Sequence, residues 1–172
     1  MLKKIIFRSI LGLIGLSLFS CGQQKIYSSA DEIIAEMQEG LETIDVQNLK
    51  KKIDGMETYF LLIDVREPNE HSFGYIPGSI NIPAGTILFN ITNEKFFEDQ
   101  MMYTPELEDE IVVYCKKGKR SIMAAKYLTQ LGYKNVKYID GGWKNWEMNF
   151  PLLYDKNLAI NIHEEAADTG GC

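Results

Sequence analysis

The 172-residue chain is poor in the residues that build metal centres, with three cysteines (Cys21, Cys115, Cys172) and two histidines (His71, His163). None of them falls in a CxxC or Cys/His ligand spacing, which argues against a zinc or iron–sulfur site and leaves no metal or cofactor implied. Positive charge is also short: the net charge is -6, so the overall balance gives no support to a nucleic-acid partner. Low-complexity tracts and internal repeats are absent, which removes fibrous and solenoid classes. The length suits one well-buried domain and is too short for two comfortable ones.

A membrane-spanning run is missing too. Lys3, Lys4 and Arg8 precede an apolar stretch from Ile10 to Phe19, which falls short of the roughly 20 residues a bilayer needs. A basic start, a short apolar run and a small residue before a cut describe a secretory leader over residues 1–20. Leu18-Phe19-Ser20-Cys21 resembles a bacterial lipoprotein signal, which implies cleavage before Cys21 and lipidation of its thiol. Gly22-Gln23-Gln24 would then be a tether. Several acyl chains on one cysteine would hold the protein stably to a membrane, placing it in the cell envelope. Cleavage removes three positive charges and no negative one, taking the net charge from -6 to -9. The lipid, rather than surface charge, would be the anchor.

The rest of the chain alternates helical and strand-like patterns. Residues 28–39 start on Ser28-Ser29 with Asp31-Glu32 behind them, good N-terminal helix chemistry, and Gly40 ends the segment. A short β-like run follows at Thr43 to Val46, then a helical stretch with Leu49 and Ile53 up to Gly55. Tyr59 to Ile63 and Ile111 to Tyr114 are continuous apolar runs of strand length, as expected for strands covered on both faces. Pro77 to Pro83 reads as extended and turn-rich. Ser121 to Leu131 carries Ala124, Tyr127, Leu128 and Leu131 on one helical stripe, and Val136 to Ile139 is another strand. This alternation predicts an α/β fold with a mainly parallel sheet, where function gathers at strand-to-helix junctions.

The junction that stands out is Cys115-Lys116-Lys117-Gly118-Lys119-Arg120-Ser121. Backbone N–H groups of such a loop and of the next helical turn converge on one point, a nest for negative charge. With Lys116, Lys117, Lys119 and Arg120 close by, that field favours a thiolate, which is the nucleophilic form. Gly118 allows a backbone conformation other residues resist, and Ser121 is a natural helix-starting residue. A lone cysteine after a strand is more often a small core residue, and lysine runs are usually solvated surface. Four cations in the same short turn as the cysteine outweigh both bland readings.

Four ordered motifs carry a resemblance to a known family. Leu62-Ile63-Asp64-Val65-Arg66-Glu67-Pro68, Gly74 to Pro83, the Cys115 loop, and Asp140-Gly141-Gly142-Trp143 with Trp146 resemble a rhodanese (thiosulfate sulfurtransferase) domain over roughly residues 42–152. The resemblance implies a five-stranded parallel sheet flanked by helices on both faces. It divides the chain into a leader (1–20), a lipid-anchored tether with an N-terminal helix (21–41), the rhodanese domain (42–152) and a tail (153–172). It makes Cys115 the catalytic residue, which takes a sulfane sulfur as a persulfide and passes it to a nucleophilic acceptor. Lys116, Lys117, Gly118, Lys119, Arg120 and Ser121 would bind substrate, and Asp64 and Arg66 would support the site without reacting. The implied donors are small sulfur anions (thiosulfate, polysulfide or a persulfide), and the implied acceptors are a thiol or cyanide.

Tyr75 stands where the family commonly has histidine, away from the catalytic loop. Four residues separate Cys115 from Arg120, whereas related phosphatases and arsenate reductases use five to surround a tetrahedral oxyanion. The shorter loop favours sulfur over phosphoryl chemistry. A non-turnover persulfide carrier, or a redox or binding module, is the alternative function. Trp143 and Trp146 read as packing residues, and His71, in a turn beside Glu70, has no catalytic role. Cys172 in the acidic tail reads first as incidental. Its sharper reading is a resolving thiol that pairs with Cys115 or attacks its persulfide.

Overall fold

The computed structural model describes residues 25–55 and 59–156. The leader 1–20, Cys21, His163 and Cys172 lie outside the described residues. Five strands form one parallel sheet in the order β1-β5-β4-β2-β3: β1 (Glu42–Ile44), β2 (Leu61–Asp64), β3 (Ile80–Asn81), β4 (Glu110–Tyr114) and β5 (Asn135–Ile139). The apolar runs sit at the centre as β2 and β4, in register from Leu61 opposite Ile111 to Asp64 opposite Tyr114. All of their residues but Glu110 are buried. Each such aliphatic side chain contributes on the order of 1.5–3 kcal/mol by leaving water.

Side chains alternate across these strands, so each face has its own core. One face carries Leu61, Ile63, Ile111 and Val113. Helix α6 (Lys119–Gln130) packs on it through Ile122, Ala125 and Leu128. Helix α1 (Ala30–Gln38), capped by Ser29 as its sequence suggests, lies against α6. The other face carries Leu62, Val112 and Tyr114 beneath α2 (Val46–Gly55) and α7 (Gly142–Asn149), which bring Leu49, Trp143 and Trp146. Helices therefore flank both faces, as expected.

The differences from the sequence reading are local. Val46 opens α2 rather than closing β1, and α6 starts two residues earlier than Ser121. Its N-cap is Gly118 at φ 105°, a conformation that favours glycine. Ser121 lies inside the first turn, where its hydroxyl donates to the Gly118 carbonyl at 2.8 Å. His71 is not in a turn but in the short helix α3 (Pro68–Ser72), started by Pro68 and by a capping box between Glu67 and Glu70. Two further short helices, α4 (Ile87–Asn90) and α5 (Glu94–Asp99), join β3 to β4.

Candidate active site

In a parallel sheet every strand ends at the same edge, so β2, β4 and β5 deliver the segments after Asp64, Tyr114 and Ile139 side by side. Cys115 follows β4 directly and is only 2% exposed. Its Sγ accepts the Gly118 N–H at 3.2 Å and lies 3.7 Å from the Ser121 hydroxyl. The loop thus folds around its own sulfur. Among the described residues, no protein acceptor takes the backbone N–H of Lys117, Lys119 or Arg120, which leaves donors at the start of α6 for an anion.

The loop is held from below by the fourth motif. The N–H of Trp143 donates to the Cys115 carbonyl at 2.8 Å, and that of Lys144 to the Lys116 carbonyl at 3.1 Å. Two orphan donors at the start of α7 are thereby used to fix the loop. This close approach requires glycine: a Cβ on Gly142 would sit 2.1 Å from the Cys115 carbonyl oxygen, and its φ is +58°.

The first motif supplies a buried ion pair. The Arg66 guanidinium grips Asp64 through Nε (2.9 Å) and Nη2 (2.6 Å) to Oδ2, and Nη2 also donates to the Gly74 carbonyl at 2.7 Å. Asp64 is fully buried and Arg66 3% exposed. The guanidinium carbon lies 4.7 Å from the Trp143 ring and 5.7 Å from that of Tyr114. Residues from three of the four motifs, and Tyr114 at the end of the strand that leads into the remaining one, the cysteine loop, therefore meet at Arg66. Burial pushes the Asp64 carboxyl up, but the hydrogen bonds from His71 and Arg66, and the Arg66 charge, hold it below the usual carboxylate range. The Tyr114 phenol is pushed up chiefly by burial; its oxygen accepts the Ile76 N–H at 3.1 Å.

A cleft of about 470 Å³ opens beside the loop, lined by Arg66, Glu70, Phe73, Lys116, Lys117, Trp143, Lys144 and Glu147. Of the cations expected there, Lys116 and Lys117 line it. Lys119 does not: its ammonium pairs with Asp31 of α1. Arg120 is clamped by Glu70, with Nη1 to Oε2 at 2.6 Å and Nη2 to Oε1 at 2.9 Å. The Arg120 bond holds the Glu70 carboxyl below its ordinary range, and that carboxylate raises Arg120 in turn. Arg120 thus spends its fork locking the loop to α3.

Sequence reasoning missed Glu70, Phe73, Lys144 and Glu147 as cleft residues, and Trp143 as the face against Arg66. It also missed His71, whose Nδ1 lies 2.9 Å from Asp64 Oδ2 while its ring stacks on Tyr75 at 4.1 Å. The Glu67–Glu70 capping-box spacing was the available signal, since a helix over 68–72 aims Glu70 and His71 inward. Among the described residues no cluster of His, Cys, Asp and Glu could hold a metal ion.

Comparison with known proteins agrees with this arrangement. The rhodanese-like domain model matches residues 45–149. The Schizosaccharomyces pombe protein named "Putative thiosulfate sulfurtransferase, mitochondrial" is 42% identical over 103 residues, which cover 59% of this chain and 72% of that one. The thiosulfate:glutathione sulfurtransferase of Saccharomyces cerevisiae is 29% identical over 108 residues, covering 62% and 78%. The solved structure of the human single-domain sulfurtransferase TSTD1 matches with a TM-score of 0.58 at 29% identity, covering 63% of this chain and 97% of its own. By fold, motif order and family match, this chain belongs to the rhodanese-like domain family.

Proposed function

We propose that this chain is a sulfurtransferase that carries a sulfane sulfur on Cys115. The observation that carries the reading is the sulfur itself, cradled by the Gly118 N–H beside a cleft whose wall includes two lysines. The Cys115 thiolate attacks the outer sulfur of thiosulfate. A bond forms between Sγ and that sulfur, the sulfur–sulfur bond of thiosulfate breaks, and its electron pair leaves with sulfite. A nucleophile such as cyanide or a thiolate then attacks the outer sulfur of the persulfide, and Cys115 departs as thiolate again.

Lys116 and Lys117 attract the dianionic donor, and the open N–H groups at the start of α6 receive its oxygens. Gly118 and Ser121 shape the loop around the sulfur, Arg120 fixes its far end, and the Asp64–Arg66 pair fixes the layer beneath. The names of the yeast relatives favour thiosulfate as donor and a small thiol as acceptor. A lipid on Cys21 would confine this chemistry to the cell envelope.

Steady-state transfer from thiosulfate to cyanide or glutathione tests the reading, with Cys115→Ser as control. The variant is expected to lose all turnover, and unchanged turnover would sink the mechanism. A persulfide on Cys115 without turnover would instead identify a carrier. Vigorous aryl-phosphate hydrolysis would overturn sulfur chemistry in favour of phosphoryl transfer.

A further inference from the structure

The cleft beside Cys115 holds charge that a sulfur anion alone does not use. Two of its charged side chains are already committed: Arg66 grips Asp64, and Glu70 meets Arg120 through both oxygens. Lys116, Lys117, Lys144 and Glu147 also line it, and among the described residues none of these four has an opposite charge within ion-pair distance. Lys116 and Lys117 follow Cys115 directly and suit the donor proposed above. Glu147 does not, because a carboxylate repels a dianion. Its place in the wall fits an occupant that carries a positive charge as well as a negative one.

Helix α7 brings Glu147 and Lys144 together. They stand at i and i+3, so their side chains leave neighbouring points of one helix surface, roughly 5–6 Å apart at Cβ. The Lys144 N–H donates to the Lys116 carbonyl at 3.1 Å, which sets this turn of α7 against the cysteine loop. Both residues are exposed, whereas Cys115 is buried with its sulfur under the Gly118 N–H. An occupant that reaches both must therefore keep its charged head apart from its reacting atom. Phe73, 59% exposed, and Trp143 supply apolar wall for a spacer between the two. The cleft also continues into a hollow of about 250 Å³, which shares Phe73, Trp143 and Glu147 with it and adds Tyr154 and Lys156. Glu147 thus borders both spaces, within reach of an extended molecule as well as a small ion.

We infer that Lys144 and Glu147 form a subsite for the α-amino-acid head of the acceptor, a low-mass thiol whose sulfur is separated from that head by a short spacer. This rests on the sulfur transfer proposed above. The ammonium of the head donates to the Glu147 carboxylate, and its carboxylate accepts from the Lys144 ammonium, two charge-assisted contacts to one carbon centre. A γ-glutamyl thiol has this layout. With the head held, the acceptor thiolate attacks the outer sulfur of the Cys115 persulfide. A bond forms between the acceptor sulfur and that outer sulfur, the bond to Cys115 Sγ breaks, and its electron pair returns to Cys115 as thiolate. Lys144 and Glu147 touch the head and not the reacting atoms, so they decide which thiol is used. Donor and acceptor then draw on different cations of the same cleft.

Three acceptors that share one cysteinyl thiol test this on the full chain: γ-glutamylcysteine, N-glutarylcysteine, which lacks the ammonium, and N-(4-aminobutyryl)cysteine, which lacks the head carboxylate. With thiosulfate as donor, kcat/KM should favour γ-glutamylcysteine over either analogue by about three- to fivefold. Glu147→Gln should erase the preference over the glutaryl compound and keep the other, and Lys144→Gln should do the reverse. Net charge alone would rank the glutaryl compound first and the aminobutyryl compound last, so first place for the intermediate one marks two fixed contacts. Peptide-resolved mass spectrometry of the thiosulfate-loaded chain reads Cys115 separately. Sulfane sulfur on Cys115 together with a ranking by net charge overturns the inference alone. So does a preference for γ-glutamylcysteine that survives both substitutions. Absence of sulfane sulfur from Cys115 overturns the proposed function and the inference together.

Discussion

At the carboxyl ends of β2, β4 and β5 a 470 Å³ cleft lined by three lysines and two carboxylates, Glu70 and Glu147, lies beside a buried sulfur and a buried ion pair. At the amino ends of β2 and β4 the sheet carries a larger hollow, about 700 Å³, lined by Tyr59, Glu94, Glu98, Tyr103, Glu106 and Asp109. The bigger cavity has no nucleophile among its walls and four carboxylates that repel an anionic donor. There burial and the Asp109 charge also push the Tyr59 phenol up, so it offers no acid for catalysis. Size therefore does not locate the proposed chemistry. Strand direction does, because the first residues of loop and helix point their N–H groups only at the carboxyl edge.

If that edge is rigid by design, removing its charged support should cost most. Asp64→Asn leaves the Arg66 guanidinium buried with half its partners, an expected loss of about 3–5 kcal/mol measured by urea unfolding. The pH dependence has a definite sign. The folded carboxyl titrates below its unfolded value of roughly 3.9, so its contribution is fully present above that pH and disappears as pH falls through the folded value. The wild type should therefore lose stability below about pH 4 more steeply than Asp64→Asn. Identical acid limbs would show the pair to be unimportant.

Gly142→Ala comes next, at about 2–4 kcal/mol, from a methyl group placed against the Cys115 carbonyl and a left-handed backbone. Transfer activity should fall further than stability alone explains, on the order of a hundredfold, because the displaced backbone belongs to the proposed nucleophile. A folded, fully active variant would mean that α7 does not position the loop.

Much of this edge was legible in the sequence, and for identifiable reasons. Apolar runs of strand length gave β2 and β4, since a strand covered on both faces has no polar alternation to confuse it. The cysteine loop stood out because its chemistry is local, seven consecutive residues between a strand and a helix. Partnerships across the chain were not legible. Lys119 is one of four similar cations in the loop until α1 brings Asp31 to it, and Arg120 is another until α3 brings Glu70. The short helices α3, α4 and α5 have too few turns for a periodic signal.

The lysines test the charge side of the comparison with a smaller effect. Lys116→Ala combined with Lys117→Ala should raise KM for thiosulfate roughly three- to tenfold with little change in kcat, as solvated charges contribute about 0.2–1 kcal/mol each. The salt dependence of kcat/KM should flatten in parallel. A fall in kcat at unchanged KM would move these lysines from donor capture to the chemical step.

The smallest effect belongs to the other end, and it is the one that isolates the comparison. Glu98 and Glu106 line the larger hollow, both are exposed, and neither pairs with a cation among the described residues. Glu98→Gln with Glu106→Gln should change stability by less than about 0.5 kcal/mol, on the stabilising side if like charges there repel. At 0.1 M salt the Debye length is about 10 Å, and the sheet lies between these carboxylates and the cleft, so donor kinetics should not change. At 0.01 M salt screening reaches only over about 30 Å, and removing two negative charges should raise kcat/KM for thiosulfate by less than about twofold. A larger effect, or one that persists at high salt, would mean that the acidic end touches the donor directly. The opposition between the two ends would then be a division of labour in binding, with strand direction no longer sufficient to explain where this chain works.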